Sequence, residues 1–94
     1  MKQTERIRSL LAAVLAPAVL DIEDESHRHI GHAGAGGGGH FQVTIVSERF
    51  TGLPLVRRHR LVYDALAAEM GSRIHALAIT ALTPAEWQTR AAKN

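Results

Sequence analysis

Histidine and glycine dominate one segment in the middle of the chain. Residues 27 to 40 read HRHIGHAGAGGGGH and contain four of the six histidines and six of the eight glycines. Imidazole nitrogens bind transition metals, and glycine adopts backbone conformations that other residues avoid. The segment is therefore compatible with a metal site, a phosphate-binding loop or a flexible connecting loop.

The glycines form no known nucleotide-binding motif. AGAGGGG lacks the Lys and the Ser or Thr of a P-loop, and it precedes a predicted strand where a P-loop precedes a helix. Neither Ser26 nor Ser47 lies in a nucleophile-elbow signature, so we find no catalytic set and predict that the protein is not an enzyme. The chain has no cysteine. A metal would therefore need histidine, carboxylate or ligands from another molecule.

The remaining chemistry is spread along the chain. The spacing of His27, His29 and His32 is compatible with metal ligation but is not diagnostic of it. His59 falls on the apolar stripe of a predicted helix, which favours a core histidine. The formal net charge is +2, and the only dense basic cluster is Arg57, Arg58 and Arg60, which is weak support for nucleic-acid binding.

Hydrophobic periodicity predicts the elements that position these residues. Apolar residues at helical spacing predict a helix over 4–15 and a second over 55–70 that stops at Gly71. Alternation predicts strands in LDIEDES, HFQVTIVS and IHALAITA, and the TPAE sequence predicts a third helix with a capping box. The order is α-β-β-α-β-α, an α/β (α+β) fold with a three-stranded mixed sheet. We expect one domain over 1–94, with a core over about 4–88 and a flexible tail at 89–94.

This topology predicts where His75 lies. A strand, helix, strand unit within one sheet runs its strands parallel, so the third strand should begin beside the start of the second. His75 should therefore lie near the histidine segment, partly sheltered, on the same side of its strand as Leu77 and Ile79.

The amino terminus gives no sign of membrane insertion. Charges at Glu5, Arg6 and Arg8 interrupt its apolar run, no signal-peptide cleavage pattern follows, and no stretch approaches the roughly 20 apolar residues of a membrane span. We predict a cytoplasmic protein that does not bind membranes and whose isolated chain is a monomer.

Six short segments together resemble the BolA family over nearly the whole chain. They are DES at 24–26, HF at 40–41, IVSERFTG at 45–52, RHRLVYDAL at 58–66, IHALAI at 74–79 and TPAEW at 83–87. The resemblance implies a sandwich similar to the class II KH fold, with helices packed on one face of the sheet.

For function, the resemblance implies a partner of monothiol glutaredoxins. The two proteins would share a bridging 2Fe–2S cluster in cluster trafficking or in iron or redox sensing. Cysteine and glutathione would come from the glutaredoxin side, and the isolated chain is expected to hold no cluster. By the family pattern one ligand is His75 and the second lies in the segment between the first two strands. Spacing from DES favours His29, with His32 and then His27 as rivals.

The resemblance also supports an alternative, a DNA-binding transcriptional regulator. Arg57, Arg58 and Arg60 near the start of the second helix could contact phosphates, dock glutaredoxin or form a solvated helix face. A KH domain clamps nucleic acid with a GxxG loop, whereas residues 52–55 read GLPL and lack the second glycine.

Overall fold

A computed structural model of the protein describes residues 3–26 and 39–92. Three helices and three strands follow in the predicted order. They are α1 (Gln3–Leu15), β1 (Val19–Asp24), β2 (Gly39–Val46), α2 (Leu55–Ala65), β3 (Ile74–Leu82) and α3 (Pro84–Ala92), with a short 3-10 helix at Glu48–Phe50 between β2 and α2. Within the described ranges, no helix is both long enough and apolar enough to cross a membrane.

The sheet is mixed, as predicted. Its strand order is β1-β2-β3; β1 pairs antiparallel with β2, and β2 pairs parallel with β3. The parallel pairing follows from α2, which returns the chain to the end of the sheet where β2 begins. β2 is the central strand, and its buried residues Phe41, Val43 and Ile45 alternate with residues on the other face.

Helices α1 and α2 cover the sheet face that carries these three residues. α1 buries Ile7, Leu11 and Leu15 completely or nearly so, whereas Val14 is 44% exposed. The core cluster also contains Val62, Leu66, Phe50, Ile74 and Ala81. Full burial of each large aliphatic side chain contributes about 1.5–3 kcal/mol, so this one cluster supplies most of the hydrophobic stabilisation.

The second helix is shorter than predicted. It ends at Ala65, and the Leu66 N–H bonds to the carbonyls of both Val62 and Tyr63, the mark of a tightening last turn. The chain then turns until Gly71, whose φ of 83° only glycine adopts readily, while Met70 forms a bridge with Ile74. The turns after the helix still bury Leu66 and partly bury Met70. The helical spacing of apolar residues therefore extends past the end of the helix.

Two further expectations differ from the structure. Leu55, whose spacing predicts a place on the buried stripe of the second helix, is 62% exposed, because the buried stripe begins at Arg58 and continues through Val62. Residues 89–92, expected to belong to a tail, are the last residues of α3.

Candidate histidine site and basic helix face

His75 lies at an irregularity in the β2–β3 pairing. Gly39 pairs with Ile74 and His40 pairs with Ala76, so the register passes over His75. Ile74 is fully buried and Leu77 packs against the core, whereas His75 is exposed. An extra residue in a strand re-aims its side chain, and such bulges are common next to functional sites.

The irregularity corrects two sequence-based expectations. His75 was expected to be partly sheltered and to share a side of β3 with Leu77 and Ile79. The extra residue breaks the alternation between His75 and Leu77, so the imidazole is exposed to solvent. Strict two-residue periodicity could not reveal this, because a bulge depends on the register of the partner strand.

The structure brings His75 together with His40. Their ring centroids are 5.2 Å apart and the ring planes are inclined by 41°. His40 is half-buried and alternates with Phe41, so it stands on the sheet face opposite α1 and α2. The parallel pairing expected from topology is therefore confirmed, and it places two imidazoles side by side at one end of the sheet.

Hydrogen bonds hold the backbone around His40. Its N–H donates to Ser26 Oγ at 3.0 Å, and its carbonyl accepts from the Glu25 N–H at 2.7 Å. The Ser26 N–H donates to Asp24 Oδ1 at 2.9 Å. These hydrogen bonds hold the two residues that flank the intervening segment, Ser26 and Gly39, close together. The DES motif at 24–26 supplies them.

Gly39 is a second constraint on the site. A Cβ added at this position would overlap the Phe41 ring and approach Ser26 Oγ to 3.1 Å. Its N–H also donates to the Arg73 carbonyl at 2.9 Å, next to the start of β3. The last glycine of the run therefore allows a close approach that joins β2 to β3 beside His75.

The other predicted metal ligands, His29, His32 and His27, lie outside the described residues. Across residues 3–26 and 39–92, no group of three or more His, Asp, Glu or Cys side chains is arranged to hold a metal ion. The donor set at the end of the sheet is thus two imidazoles without thiolate. Iron–sulfur clusters accept imidazole in place of cysteine, so these residues fit one side of a cluster whose thiolates another molecule supplies.

His40 is not among the candidate ligands that the sequence predicts, because its position there indicates only the start of a strand. A usable signal existed: HF and IHAL both begin strands that must run parallel. Only the residue-level register shows that His40 and His75 become neighbours.

Arg58 does not belong to an exposed basic surface, which corrects its assignment as a docking residue. It is 8% exposed, and its Nε donates to the Leu53 carbonyl at 2.8 Å. Its Nη1 donates to the Ala81 carbonyl at 3.1 Å, and Nη1 and Nη2 donate to the two carboxylate oxygens of Glu86 at 2.6 and 3.1 Å. Arg58, Val62 and Leu66 recur at four-residue spacing, so the buried helix stripe already contained this arginine.

The bonds to Arg58, followed by the Thr83 backbone N–H, lower the pKa of Glu86 from 4.5 to about 2. Glu86 also completes the predicted capping box. The Thr83 N–H donates to Glu86 Oε1 at 2.9 Å, and the Glu86 N–H donates to Thr83 Oγ1 at 3.1 Å. One carboxylate therefore joins α2, the end of β3 and the first turn of α3.

Arg57 and Arg60 are the exposed members of the basic cluster. Together with Leu53, Val56, Leu61 and Asp64 they line a groove along α2. Val56 is 73% exposed, so the groove combines two cations with apolar surface. The charges of Arg57 and Arg60 attract anionic groups, and the Asp64 carboxylate in the same groove partly offsets them.

Comparisons with known proteins agree with the fold and the motifs. The model of a family described as BolA-like protein matches residues 11–86. The DNA-binding transcriptional regulator BolA of Escherichia coli is 44% identical over 84 residues, which cover 89% of this chain and 78% of that protein. The SufE-like protein 1 of Arabidopsis thaliana is 49% identical over 87 residues, 86% of this chain, and the match spans 24% of its length.

Among solved structures, a bol-like protein from Babesia bovis superposes with a TM-score of 0.81 at 37% identity. The superposition covers 97% of this chain and 95% of that one. The family model covers most of the chain, and the shared architecture includes the mixed sheet that joins the two histidine-bearing strands. The protein belongs to the BolA family.

Proposed function

We propose that this protein binds a monothiol glutaredoxin and contributes imidazole ligands to a 2Fe–2S cluster held between the two proteins. The observation that carries the proposal is the exposed His75, turned out of the sheet by the β2–β3 irregularity and placed beside His40. The exposed His75, with the half-buried His40 beside it at the end of the sheet, is accessible to a partner protein. The chain has no cysteine, so the partner and its glutathione supply the thiolates.

His75 is the ligand that the sheet positions. A second ligand comes from the segment after Ser26, with His29 the first choice and His32 and His27 its rivals. Hydrogen bonds among Asp24, Ser26 and His40 hold both ends of this segment next to His75, which supports ligation from it. The protein acts here as a trafficking or sensing partner with no catalytic step of its own.

The test is anaerobic cluster reconstitution on a monothiol glutaredoxin with glutathione, with and without this protein, followed by visible circular dichroism. We expect a spectrum that differs from glutaredoxin alone and that is lost in His75→Ala and in one of His29→Ala or His32→Ala. His59→Gln, a histidine change on α2, should retain it. A spectrum identical to glutaredoxin alone, with no co-elution on a sizing column, contradicts the proposal.

A second candidate function, DNA binding, is favoured by the groove along α2. Arg57 and Arg60 are exposed there, and a relative 44% identical to this chain is named as a DNA-binding regulator. Each arginine that neutralises a phosphate steepens the fall of affinity with salt.

Fluorescence anisotropy with duplex DNA over a salt series tests this candidate. The double variant Arg57→Gln/Arg60→Gln should lower the salt slope by about 2, while His75→Ala leaves it unchanged. An unaltered slope in the arginine variant rules out DNA contact through this face.

A further inference from the structure

The separation of the His40 and His75 rings matches the separation of two imidazoles bound to a single cation. A zinc–nitrogen bond of about 2.0–2.1 Å places each ring centroid about 3.2 Å from the metal, and a tetrahedral angle then separates the two centroids by about 5.2 Å. The observed separation is 5.2 Å. The 41° inclination between the planes is also compatible with two rings that face a common point and do not stack.

The backbone at both histidines is held in place before any ligand binds. His40 is fixed by the Ser26 hydroxyl and the Glu25 N–H, and it is paired in register with Ala76 on β3. His75 lies between Ile74, which is fully buried, and Ala76, which is paired. A fixed backbone reduces the conformational entropy that the two residues lose when a ligand binds.

The environment selects the kind of cation. Two imidazoles favour first-row borderline ions such as Zn²⁺, Co²⁺, Ni²⁺ and Cu²⁺ over Mg²⁺ or Ca²⁺, which prefer oxygen ligands. No third histidine or carboxylate in the described part of the chain completes the set at ligand distance. Within that part of the chain the remaining positions are left to water or an added ligand, which makes the proposed site open and its metal exchangeable.

We propose that the isolated protein, without glutaredoxin or cluster, binds one borderline divalent cation between His40 and His75. This mononuclear site can be tested separately from the proposed cluster-sharing function, because it needs no partner and uses His40, which is not an assigned cluster ligand. Since the two sites share His75, a bound cation should compete with glutaredoxin-dependent cluster formation.

The experiment is titration of untagged, metal-free protein with ZnCl₂ by isothermal calorimetry, with CoCl₂ absorption as a readout of coordination geometry. We expect one Zn²⁺ per chain and binding weakened at least about tenfold by His40→Asn or by His75→Asn. Retention of this binding by the triple variant His27→Asn/His29→Asn/His32→Asn distinguishes the pair from the neighbouring histidines. MgCl₂ should give no heat, and His59→Asn serves as a histidine control.

Thermal unfolding of each variant without metal establishes that its fold is intact. Loss of Zn²⁺ binding in the triple variant with full retention in His40→Asn would overturn the proposal and assign the metal to residues 27–32. Undetectable binding to the wild-type chain would overturn it as well, and would leave the inclined rings as a simple aromatic contact. Neither result bears on cluster sharing, which is measured with glutaredoxin present.

Discussion

Arg58 shows how one side chain can serve structure where its sequence neighbours face solvent. Its guanidinium bonds to two backbone carbonyls and both oxygens of the Glu86 carboxylate. Five fixed donors in one plane suit this arrangement, whereas the single ammonium of lysine cannot reach all the acceptors. The basic cluster in the sequence therefore consists of one buried arginine with a structural role and two exposed arginines.

Substitution of Arg58 should destabilise the protein strongly. Arg58→Lys leaves buried carbonyl groups without a donor, and we expect a loss of about 2–4 kcal/mol in the free energy of unfolding. Urea denaturation measures this loss. Arg57→Lys on the exposed side of α2 is the matched control and should change stability by less than about 0.5 kcal/mol. Equally small losses of unfolding free energy in the two variants would contradict a structural role for Arg58.

Acid should weaken the ion pair between Arg58 and Glu86, because it protonates the carboxylate. The folded-state pKa of about 2 lies below the ordinary 4.5, so the unfolded chain takes up the proton first as the pH decreases. The free energy of unfolding therefore decreases as the pH is lowered from about 4.5 to about 2. The carboxylate is 46% exposed, so solvent screening moderates the effect. Glu86→Gln should be less stable than the wild type above pH 4.5, and the gap should narrow towards pH 2. A gap that stays constant over this range in urea denaturation would refute the assignment.

At the scale of elements, the connection from α2 to β3 determines where β3 starts and hence where His75 is placed. The helix ends at Ala65, and Gly71 with φ of 83° turns the chain into β3. No atom lies within 4 Å of a Cβ built on Gly71, so the requirement there is for backbone conformation and not for space.

Gly71→Ala should therefore cost about 1–2 kcal/mol through strain in the left-handed region. Gly71→Asn should cost less, because asparagine tolerates that conformation. Thermal unfolding of both variants measures the difference. An alanine variant as stable as the wild type would mean that this turn accepts another backbone geometry.

For the whole molecule, stability depends on one core built between α1, α2 and one face of the sheet. The opposite face of β2 carries the half-buried His40 and the exposed Gln42 at one end and the buried Val46 at the other. Where β2 begins, packing and chemistry thus occupy different faces of the sheet, with Phe41 on the core side and His40 on the other.

Removal of packing on the covered face should lower the stability of the entire chain. Leu11→Ala creates a cavity in the core and should cost about 2–5 kcal/mol. Val14→Ala, on the same helix but 44% exposed, should cost far less. Unfolding followed by circular dichroism and by Trp87 fluorescence should show coincident transitions in both variants. Similar losses from the two changes would argue against α1 as the cover of the core.

The sequence by itself determined the element order, the mixed sheet, the capping box of α3 and the family, because each depends on local periodicity or on motifs in chain order. It also determined that this chain supplies no thiolate to a metal, since cysteine is absent. The exposure of His75, its pairing with His40 and the burial of Arg58 were decided only by the tertiary structure. Each depends on contacts between residues 23 to 36 positions apart, and the exposure of His75 depends also on a register irregularity that no single strand encodes.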